Sequence, residues 1–191
     1  MKLILASTSP FRKAILDKLG IEFDTASPET DETVLDNETP QQLVERLSIA
    51  KAKAIADKTS DALVIGSDQV SVINGEIIGK PHTHENAIKQ LQNASGKTVT
   101  FYTGLCLYNS ATHQYQADVV LFNVVFRQLT DQQIENYLKK EEPYNCAGSF
   151  KSEALGIVLF EKLEGDDPNT LMGLPLIRLV KMLEKENYTI L

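Results

Sequence analysis

The chain has 191 residues, of which 42% are hydrophobic and 24% are charged, ordinary values for a globular protein with a buried core. This length suits one large α/β domain or two small lobes around a cleft. The formal net charge of −7 argues against a general attraction to nucleic acid or anionic lipid. No apolar run approaches the ~18 residues of a membrane helix. We therefore expect a cytoplasmic protein without a membrane or nucleic-acid partner.

Strand and helix patterns alternate along the whole chain. Ser9 can cap the first helix, and Pro10 suits the first helical position because its missing N–H costs nothing there. Thr39 and Thr130 each begin a capping-box sequence, which predicts a helix start. In chain order, the predicted strands are residues 3–6, 21–25, 62–73, 98–108, 115–127 and 157–160, and the predicted helices are residues 10–19, 40–58, 84–94, 131–142 and a last helix from Pro175.

These elements predict the fold class. Strands mixed with helices at such spacings favour an α/β fold. The dipeptide Asn74-Gly75 between apolar runs predicts a β-hairpin, and adjacent hairpins favour a mixed sheet flanked by helices. The sequence contains no repeat and no low-complexity linker, so we expect a single domain over residues 1–191.

The segment from Leu5 to Lys13 predicts a strand, a turn and a helix start. The first turn of a helix exposes unpaired N–H groups and the positive end of the helix dipole, which favour phosphate. Ser7 adds a hydroxyl donor, whereas Arg12 and Lys13 place positive charge where the dipole disfavours it. An anionic ligand would resolve this conflict, although a capped helix with two solvated cations explains the segment as well.

A second candidate site is Gly66-Ser67-Asp68-Gln69 within an apolar strand. A buried carboxylate is costly unless it is paired or bound to a metal. Asp68 is therefore suited to holding a divalent cation or activating water. A strand-end aspartate that accepts bonds from the backbone is the alternative.

Further charges could converge on a polyphosphate. Lys51 and Lys53 lie on the second predicted helix, Lys80 lies in a rigid Gly-Lys-Pro turn, and Glu32 lies in an acidic loop. Each of these charges taken alone is also explained as a solvated surface group. The turn at residues 165–169 could bind metal or be a plain turn. From these residues alone, the prediction is an α/β protein with a phosphate and metal site.

Five segments in order across the chain resemble the signature segments of the Maf family of nucleotide pyrophosphatases. They are Leu5-Ala6-Ser7-Thr8-Ser9-Pro10, Gly66-Ser67-Asp68, Gly79-Lys80-Pro81, Ala147-Gly148-Ser149-Phe150 and Met172-Gly173-Leu174-Pro175. The resemblance implies a twisted mixed sheet, two lobes around a deep cleft, and often a homodimer. It also implies hydrolysis of a nucleoside triphosphate to the monophosphate and pyrophosphate with Mg²⁺ or Mn²⁺.

The resemblance also implies roles for individual residues. Asp68 matches the proton acceptor of the family, and Glu32 together with Asp68 matches its acidic metal site. Its phosphate-binding positions are matched by Ser7, Arg12, Lys51 and Lys80.

Three positions favour the branch of the family that acts on 7-methyl-GTP. Phe11, Gln69 and Glu153 are similar to the Trp, Gln and Glu of that branch, whereas the pyrimidine branch usually has Arg, Thr and Gln. A glutamate matches the N–H donors of a guanine edge, and Phe11 can stack on the cationic methylated base. The alternatives are a dTTP or UTP pyrophosphatase of the same family, and a nucleotide-binding regulator of septum formation.

Overall fold

Seven strands and five α-helices are present in the computed structural model, which describes all residues from 1 to 191. The strands are β1 (Lys2–Leu5), β2 (Asp24–Thr25), β3 (Ala62–Ile73), β4 (Glu76–Ile78), β5 (Thr98–Asn109), β6 (Gln114–Phe126) and β7 (Phe160–Glu164). The helices are α1 (Pro10–Asp17), α2 (Pro40–Ala56), α3 (His84–Ala94), α4 (Asp131–Glu141) and α5 (Leu176–Lys185). The predicted α/β class is confirmed.

The strands form one mixed sheet in the order β2-β1-β3-β5-β6-β7, and β4 pairs with β3. Strand β1 runs parallel to β2 and to β3, whereas β3 and β4 are antiparallel, as are β6 and β7. Asn74 and Gly75 both have positive φ angles, 51° and 86°, as a tight hairpin turn requires. The predicted hairpin and the predicted mixed sheet are therefore confirmed.

Contacts divide the chain into two compact units, each assembled from separate segments. The first unit comprises residues 1–69, 102–120 and 167–191, and the second comprises residues 70–101 and 121–166. Neither unit is one continuous stretch, and strands β3, β5 and β6 each contribute residues to both. The single domain over residues 1–191 stays a prediction, as does the deep cleft.

The strands of the first unit bury side chains on both faces. Because successive side chains on a strand point to opposite faces, β3 divides its residues between two clusters. Leu63 and Ile65 belong to one cluster, which includes Leu16 of α1 and Leu179 of α5. The other cluster includes Val64 and residues of α2, namely Ala52, Ile55 and Ala56. This part of the sheet is therefore covered by α1 and α5 on one face and by α2 on the other.

Helix α2 approaches the sheet closely at two glycines. A Cβ atom on Gly66 of β3 would overlap the Ser48 carbonyl oxygen and lie 2.7 Å from the backbone nitrogen of Ala52. A Cβ on Gly104 of β5 would likewise overlap the carbonyl group of Val44. Both strands can therefore contact the backbone of α2 directly, which brings the middle of this helix against the middle of β3.

Four phenylalanine rings form the centre of the second unit. Phe150 makes edge-to-face contacts with Phe101, Phe126 and Phe160, and the ring centroids are 5.1 to 5.7 Å apart. Such contacts stabilise by about 0.5–1.5 kcal/mol each beyond the burial of their area. Phe150 therefore anchors the chain that follows Gly148 and leads to Glu153.

Two predicted strands differ from the structure. Of residues 21–25, only Asp24 and Thr25 pair with β1. Residues 155–159 form a 3-10 helix, and β7 begins at Phe160, where residues 157–160 had predicted a strand. An apolar run as short as residues 157–160 does not distinguish a strand from a buried turn by its periodicity. In residues 21–25, the alternation of apolar and polar residues extends beyond the two residues that pair with β1. No helix in the structure combines the length and the apolar character that crossing a membrane requires.

The close approach of α2 generates a test of stability. Gly66→Ala should lower the free energy of unfolding by about 1–3 kcal/mol, since its methyl group must displace the backbone of a buried helix. Urea denaturation followed by circular dichroism measures this difference.

The matched control is Gly79→Ala, because a Cβ there meets nothing within 4 Å. This variant should match the wild type or exceed it slightly. Equal stabilities for the two variants would contradict the close approach of α2 to β3.

Candidate functional site

A buried lysine joins two carboxylates in the first unit. Lys51 Nζ lies 2.7 Å from Asp68 Oδ1 and 2.7 Å from Glu32 Oε1. Lys51 and Asp68 are each 8% exposed, whereas the Glu32 side chain is 59% exposed. Burial of a charged group is tolerated when the charge is paired, which the geometry of Lys51 provides. The structure thus brings together three of the residues that the sequence predicted for the site.

Helix α2 holds the acidic loop that carries Glu32. Arg46 donates through Nη2 to Glu38 Oε2 at 2.8 Å and to the Thr33 carbonyl oxygen at 3.0 Å. The hydrogen bonds from Arg46 lower the pKa of Glu38 to about 2. Since Thr33 directly follows Glu32, Arg46 fixes the backbone next to the carboxylate that reaches Lys51.

The turn between β1 and α1 lies beside Asp68. Leu5 of β1 pairs in parallel with Ile65 of β3, so the residues that follow Leu5 lie next to the residues that follow Ile65. Ser7 is buried, and its Oγ accepts a hydrogen bond from the Ser9 backbone nitrogen at 3.1 Å. Ser9 in turn caps α1 by accepting from the Arg12 backbone nitrogen. The predicted strand, turn and capped helix are confirmed.

Arg12 of α1 is close enough to the same carboxylates for their charges to affect its pKa. Its Nε donates to the Gly173 carbonyl oxygen at 2.9 Å. Burial lowers the pKa of Arg12, and the negative charges of Asp68 and Glu32 partly oppose this shift. Arg12 makes no ion pair and no further side-chain hydrogen bond. Its terminal Nη groups therefore remain available to an anion.

Ser67 and Gln69 project from the opposite face of β3 to Asp68. Gln69 Nε2 donates to Thr103 Oγ1 and to the Thr170 carbonyl oxygen, both at 2.8 Å. Ser67 Oγ lies 2.9 Å from the carbonyl oxygens of Gly104 and Gly173. The amide nitrogen of Gln69 is thus engaged within the protein, while its role in specificity stays a prediction.

Phe11 and two further lysines differ in how they are engaged. Phe11 is 47% exposed at the start of α1, so part of its side chain is accessible to a ligand. Lys13 and Lys53 instead form exposed ion pairs with Asp17 and Asp57, one helical turn away in each case. These two lysines therefore have local partners, unlike Arg12.

In the second unit, Lys80 and Glu153 lie in one neighbourhood. Both are exposed and neither forms an ion pair. Burial raises the pKa of the Cys146 thiol, Glu153 raises it further and Lys80 opposes the shift, so both charges act on the same thiol. Lys80 follows Gly79, whose carbonyl oxygen accepts from Gln90 Nε2 at 3.1 Å. This bond fixes the turn that presents Lys80.

The turn after β7 has a structural role that the sequence left open. Asp167 is buried, and its carboxylate accepts from the backbone nitrogens of Asn169 and Ile177 at 2.8 and 2.9 Å. It therefore caps both the turn at Pro168–Met172 and the first turn of α5, which Pro175 leaves without a side-chain cap. Its donors are all N–H groups, as in a plain turn.

The Gly173 carbonyl group that holds Arg12, and the Ser67 hydroxyl that binds the same carbonyl, were not predicted from the sequence. Gly173 was noted only within a signature segment, and Ser67 only as a neighbour of Asp68. The signal available in the sequence was the pattern Met-Gly-Leu-Pro, which marks a turn before a helix. A backbone carbonyl that binds a distant arginine leaves no mark in the sequence.

The chain matches the family model described as "Maf-like protein" over residues 2–186. A relative from Aliivibrio fischeri named "7-methyl-GTP pyrophosphatase" is 60% identical over 190 residues, which cover 100% of this chain and 98% of the relative. Relatives with the same name from Colwellia psychrerythraea and Nitrosococcus oceani are 59% and 55% identical, covering 99% of this chain and 94% and 95% of their own lengths.

Two solved structures share the fold at low sequence identity. The HAM1 protein from Coxiella burnetii has a TM-score of 0.56 at 14% identity and covers 97% of this chain and 99% of its own. The Staphylococcus aureus Ham1 protein has a TM-score of 0.55 at 13% identity, and the match covers 97% of this chain and 100% of the Ham1 chain. The resemblance noted in the sequence is confirmed by the family match and by full-length relatives at this identity: the chain belongs to the Maf family.

Proposed function

We propose that this chain hydrolyses 7-methyl-GTP to 7-methyl-GMP and pyrophosphate. The observation that carries the proposal is the cluster in which Lys51 joins Glu32 and Asp68 beside Arg12. It combines carboxylates that can act on water with cations that can bind phosphate. The names of three relatives that are at least 55% identical over nearly all of this chain support the choice of nucleotide.

The cations of the site would bind the triphosphate. Arg12 has free Nη groups, which match two phosphate oxygens at once. Lys51 already neutralises two carboxylates and would act as a compact charge next to the bound phosphates. Lys80 is exposed and unpaired, as a further phosphate ligand should be, and Ser7 supplies a hydroxyl at the turn after β1.

Glu32 and Asp68 fit a divalent cation. Both present hard carboxylate oxygens to the same ammonium group, so the two carboxylates are neighbours. The structure contains no group of three or more His, Cys, Asp and Glu side chains arranged to hold a metal. Mg²⁺ is commonly bound by one or two carboxylates together with substrate phosphates, so this pair is compatible with a metal that the triphosphate also ligates. The bound Mg²⁺ or Mn²⁺ would neutralise charge that develops on the phosphate oxygens.

Asp68 would accept the proton of the attacking water. Hydrolysis joins the water oxygen to the α-phosphorus and breaks the bond from that phosphorus to the bridging oxygen, which leaves with pyrophosphate. The water loses a proton as its oxygen attacks, and a carboxylate within reach can take it. Lys51 fixes Asp68 Oδ1 through the 2.7 Å ion pair and thereby orients the carboxylate.

Phe11 and Glu153 would select the base. An ionised carboxylate only accepts hydrogen bonds, which matches the N1–H and amino donors of guanine. Methylation at N7 makes the base cationic, which favours stacking on an exposed aromatic face such as that of Phe11. Gln69 would contribute from β3, although its amide nitrogen is bound to Thr103 and Thr170.

A substrate profile tests the proposed function. The purified protein is incubated with Mg²⁺ or Mn²⁺ and with 7-methyl-GTP, GTP, dTTP or UTP, and pyrophosphate release is followed. We expect the highest kcat/KM for 7-methyl-GTP, with one pyrophosphate per nucleotide and no free orthophosphate. A preference for dTTP or UTP would assign the chain to the pyrimidine alternative, and nucleotide binding without turnover would favour a regulator.

Asp68→Asn should lower kcat by roughly 10²-fold or more, because an amide cannot accept the proton of water. Lys51 retains Glu32 as a partner, so the variant should fold. Thermal unfolding checks the fold and steady-state kinetics measure the loss.

The matched control is Asp57→Asn, which removes an exposed carboxylate paired with Lys53 at the C-terminal end of α2. It should leave kcat unchanged, because exposed ion pairs of this kind contribute little. Near-normal turnover in a folded Asp68→Asn protein would remove Asp68 from the role of base.

Glu153→Gln should lower kcat/KM for 7-methyl-GTP by about 5- to 150-fold, which corresponds to about 1–3 kcal/mol for an unpaired donor. The amide places an N–H donor against a donor of the guanine edge, while a pyrimidine carbonyl gains a partner. Selectivity should therefore shift towards UTP or dTTP.

Glu161→Gln is the control, since Glu161 is an exposed residue of β7 in the same unit. This variant should keep the wild-type ranking of nucleotides. An unchanged ranking in Glu153→Gln as well would show that another residue selects the base.

A further inference from the structure

The carbonyl oxygen of Gly173 accepts hydrogen bonds from two sides of the site. Arg12 Nε and Ser67 Oγ each lie 2.9 Å from this oxygen. A carbonyl oxygen has two lone pairs, so it can accept both bonds. Ser67 has a single hydroxyl proton, which it can also donate to the Gly104 carbonyl oxygen at 2.9 Å. The bond from Arg12 is therefore the one with an undivided donor and a full charge, and charge-assisted bonds are the stronger kind.

The turn before Gly173 holds this oxygen in place. Asp167 accepts from the backbone nitrogens of Asn169 and Ile177, and Gln69 donates to the Thr170 carbonyl oxygen. The Gly173 backbone nitrogen donates to the same Thr170 oxygen at 2.9 Å. The turn that contains Gly173 is therefore held by the buried Asp167 carboxylate and, through the Thr170 carbonyl oxygen, by Gln69 of strand β3.

Only glycine suits this position. The φ angle of Gly173 is +99°, which side-chain-bearing residues rarely adopt. A Cβ atom there would lie 3.2 Å from Arg12 Nε and 3.5 Å from Arg12 Nη2. A side chain at residue 173 would therefore strain the backbone and also push the guanidinium group away from its carbonyl partner.

The Nε and the two Nη groups of the Arg12 guanidinium have different environments. Nε faces Gly173, and no protein atom accepts a hydrogen bond from the Nη groups. A guanidinium is planar and rigid, so holding Nε fixes the direction of both Nη groups. An arginine fixed in this way loses less side-chain entropy when an anion binds than a freely moving one.

We propose that Gly173 is a positioning residue whose carbonyl oxygen holds Arg12 by Nε, so that both Nη groups face the phosphates of the substrate. This inference rests on the proposed function, in which Arg12 binds the triphosphate. Gly173 itself does not touch substrate and acts through Arg12 alone. Its effect on binding should therefore disappear when Arg12 is removed.

A double-mutant cycle of Gly173→Ala and Arg12→Ala tests this dependence. It is measured as kcat/KM for 7-methyl-GTP and as the Kd for inorganic tripolyphosphate in calorimetry. Arg12→Ala should weaken both quantities by roughly 10- to 100-fold, the scale of a hydrogen bond to a charged group. In the wild-type background, Gly173→Ala should weaken catalysis and tripolyphosphate binding several-fold. In the Arg12→Ala background, the same substitution should weaken them by less than about twofold. This difference measures the coupling between Gly173 and Arg12.

Gly20→Ala is the matched control for strain. Gly20 also has a positive φ, +64°, but a Cβ there meets nothing within 4 Å. This variant carries the same kind of backbone strain without displacing Arg12, so it should bind tripolyphosphate like the wild type. Additive effects of Gly173→Ala and Arg12→Ala would overturn the proposal.

Arg12→Lys provides a second measurement that does not depend on the folding of Gly173→Ala. Lysine keeps the charge but replaces the guanidinium fork by one nitrogen, so we expect at least about tenfold weaker tripolyphosphate binding. Binding within twofold of the wild type would show that charge alone is needed, which overturns the proposal. Tripolyphosphate has no base. If the assigned nucleotide is wrong, only the kcat/KM values for 7-methyl-GTP change, and the tripolyphosphate Kd values still test the role of Gly173.

Discussion

The ion pair of Lys51 with Asp68 is the interaction on which the site depends. Both groups are 8% exposed, and neither charge could be buried alone without a cost of several kcal/mol. Helix α2 can place Lys51 there because Gly66 lets its backbone contact β3 directly. The second ion pair of Lys51 then draws Glu32 from an irregular loop to the same point. Removing Lys51 would leave the buried Asp68 carboxylate without its ion-pair partner.

The two faces of strand β3 have different roles: one carries the charged group of the proposed site, and the other carries side chains that bind the turn before α5. Asp68 points to the face covered by α2, where Lys51 and Glu32 meet it. Ser67 and Gln69 point to the opposite face and bind the turn before α5. Arg12 interacts with residues on both faces. Its Nε donates a hydrogen bond to the Gly173 carbonyl oxygen in this turn, and the negative charge of Asp68 partly opposes the lowering of its pKa by burial. The alternation of a strand thus lets three consecutive residues support one site from both sides.

Family membership and geometry support different parts of the functional assignment. Full-length relatives that share 55–60% of their residues with this chain support the proposed nucleotide, whereas the carboxylate and cation cluster supports the proposed type of reaction. The HAM1 structures, at 13–14% identity, establish the fold alone. The homodimer and the cytoplasmic location stay predictions.

Local patterns in the sequence determined most of the helices and strands. Ser9 with Pro10, the capping boxes at Thr39 and Thr130, and Asn74-Gly75 predicted helix starts and a hairpin that the structure confirms. The boundary errors at residues 21–25 and 157–160 arose where the hydrophobic pattern alone had to decide the extent of a strand. Side chains act on the backbone within a few residues, so caps and turns are encoded locally.

Tertiary structure alone decided which charges meet and which backbone groups hold them. The sequence marked Glu32, Lys51 and Asp68 as separate candidates, but their convergence requires α2 to pack on β3 while the acidic loop folds over both. The bond from Arg12 to Gly173 joins residues 161 positions apart and uses a carbonyl oxygen that every residue possesses. Such contacts result from burying apolar faces of elements distant in the chain, and no local pattern encodes where those faces will meet.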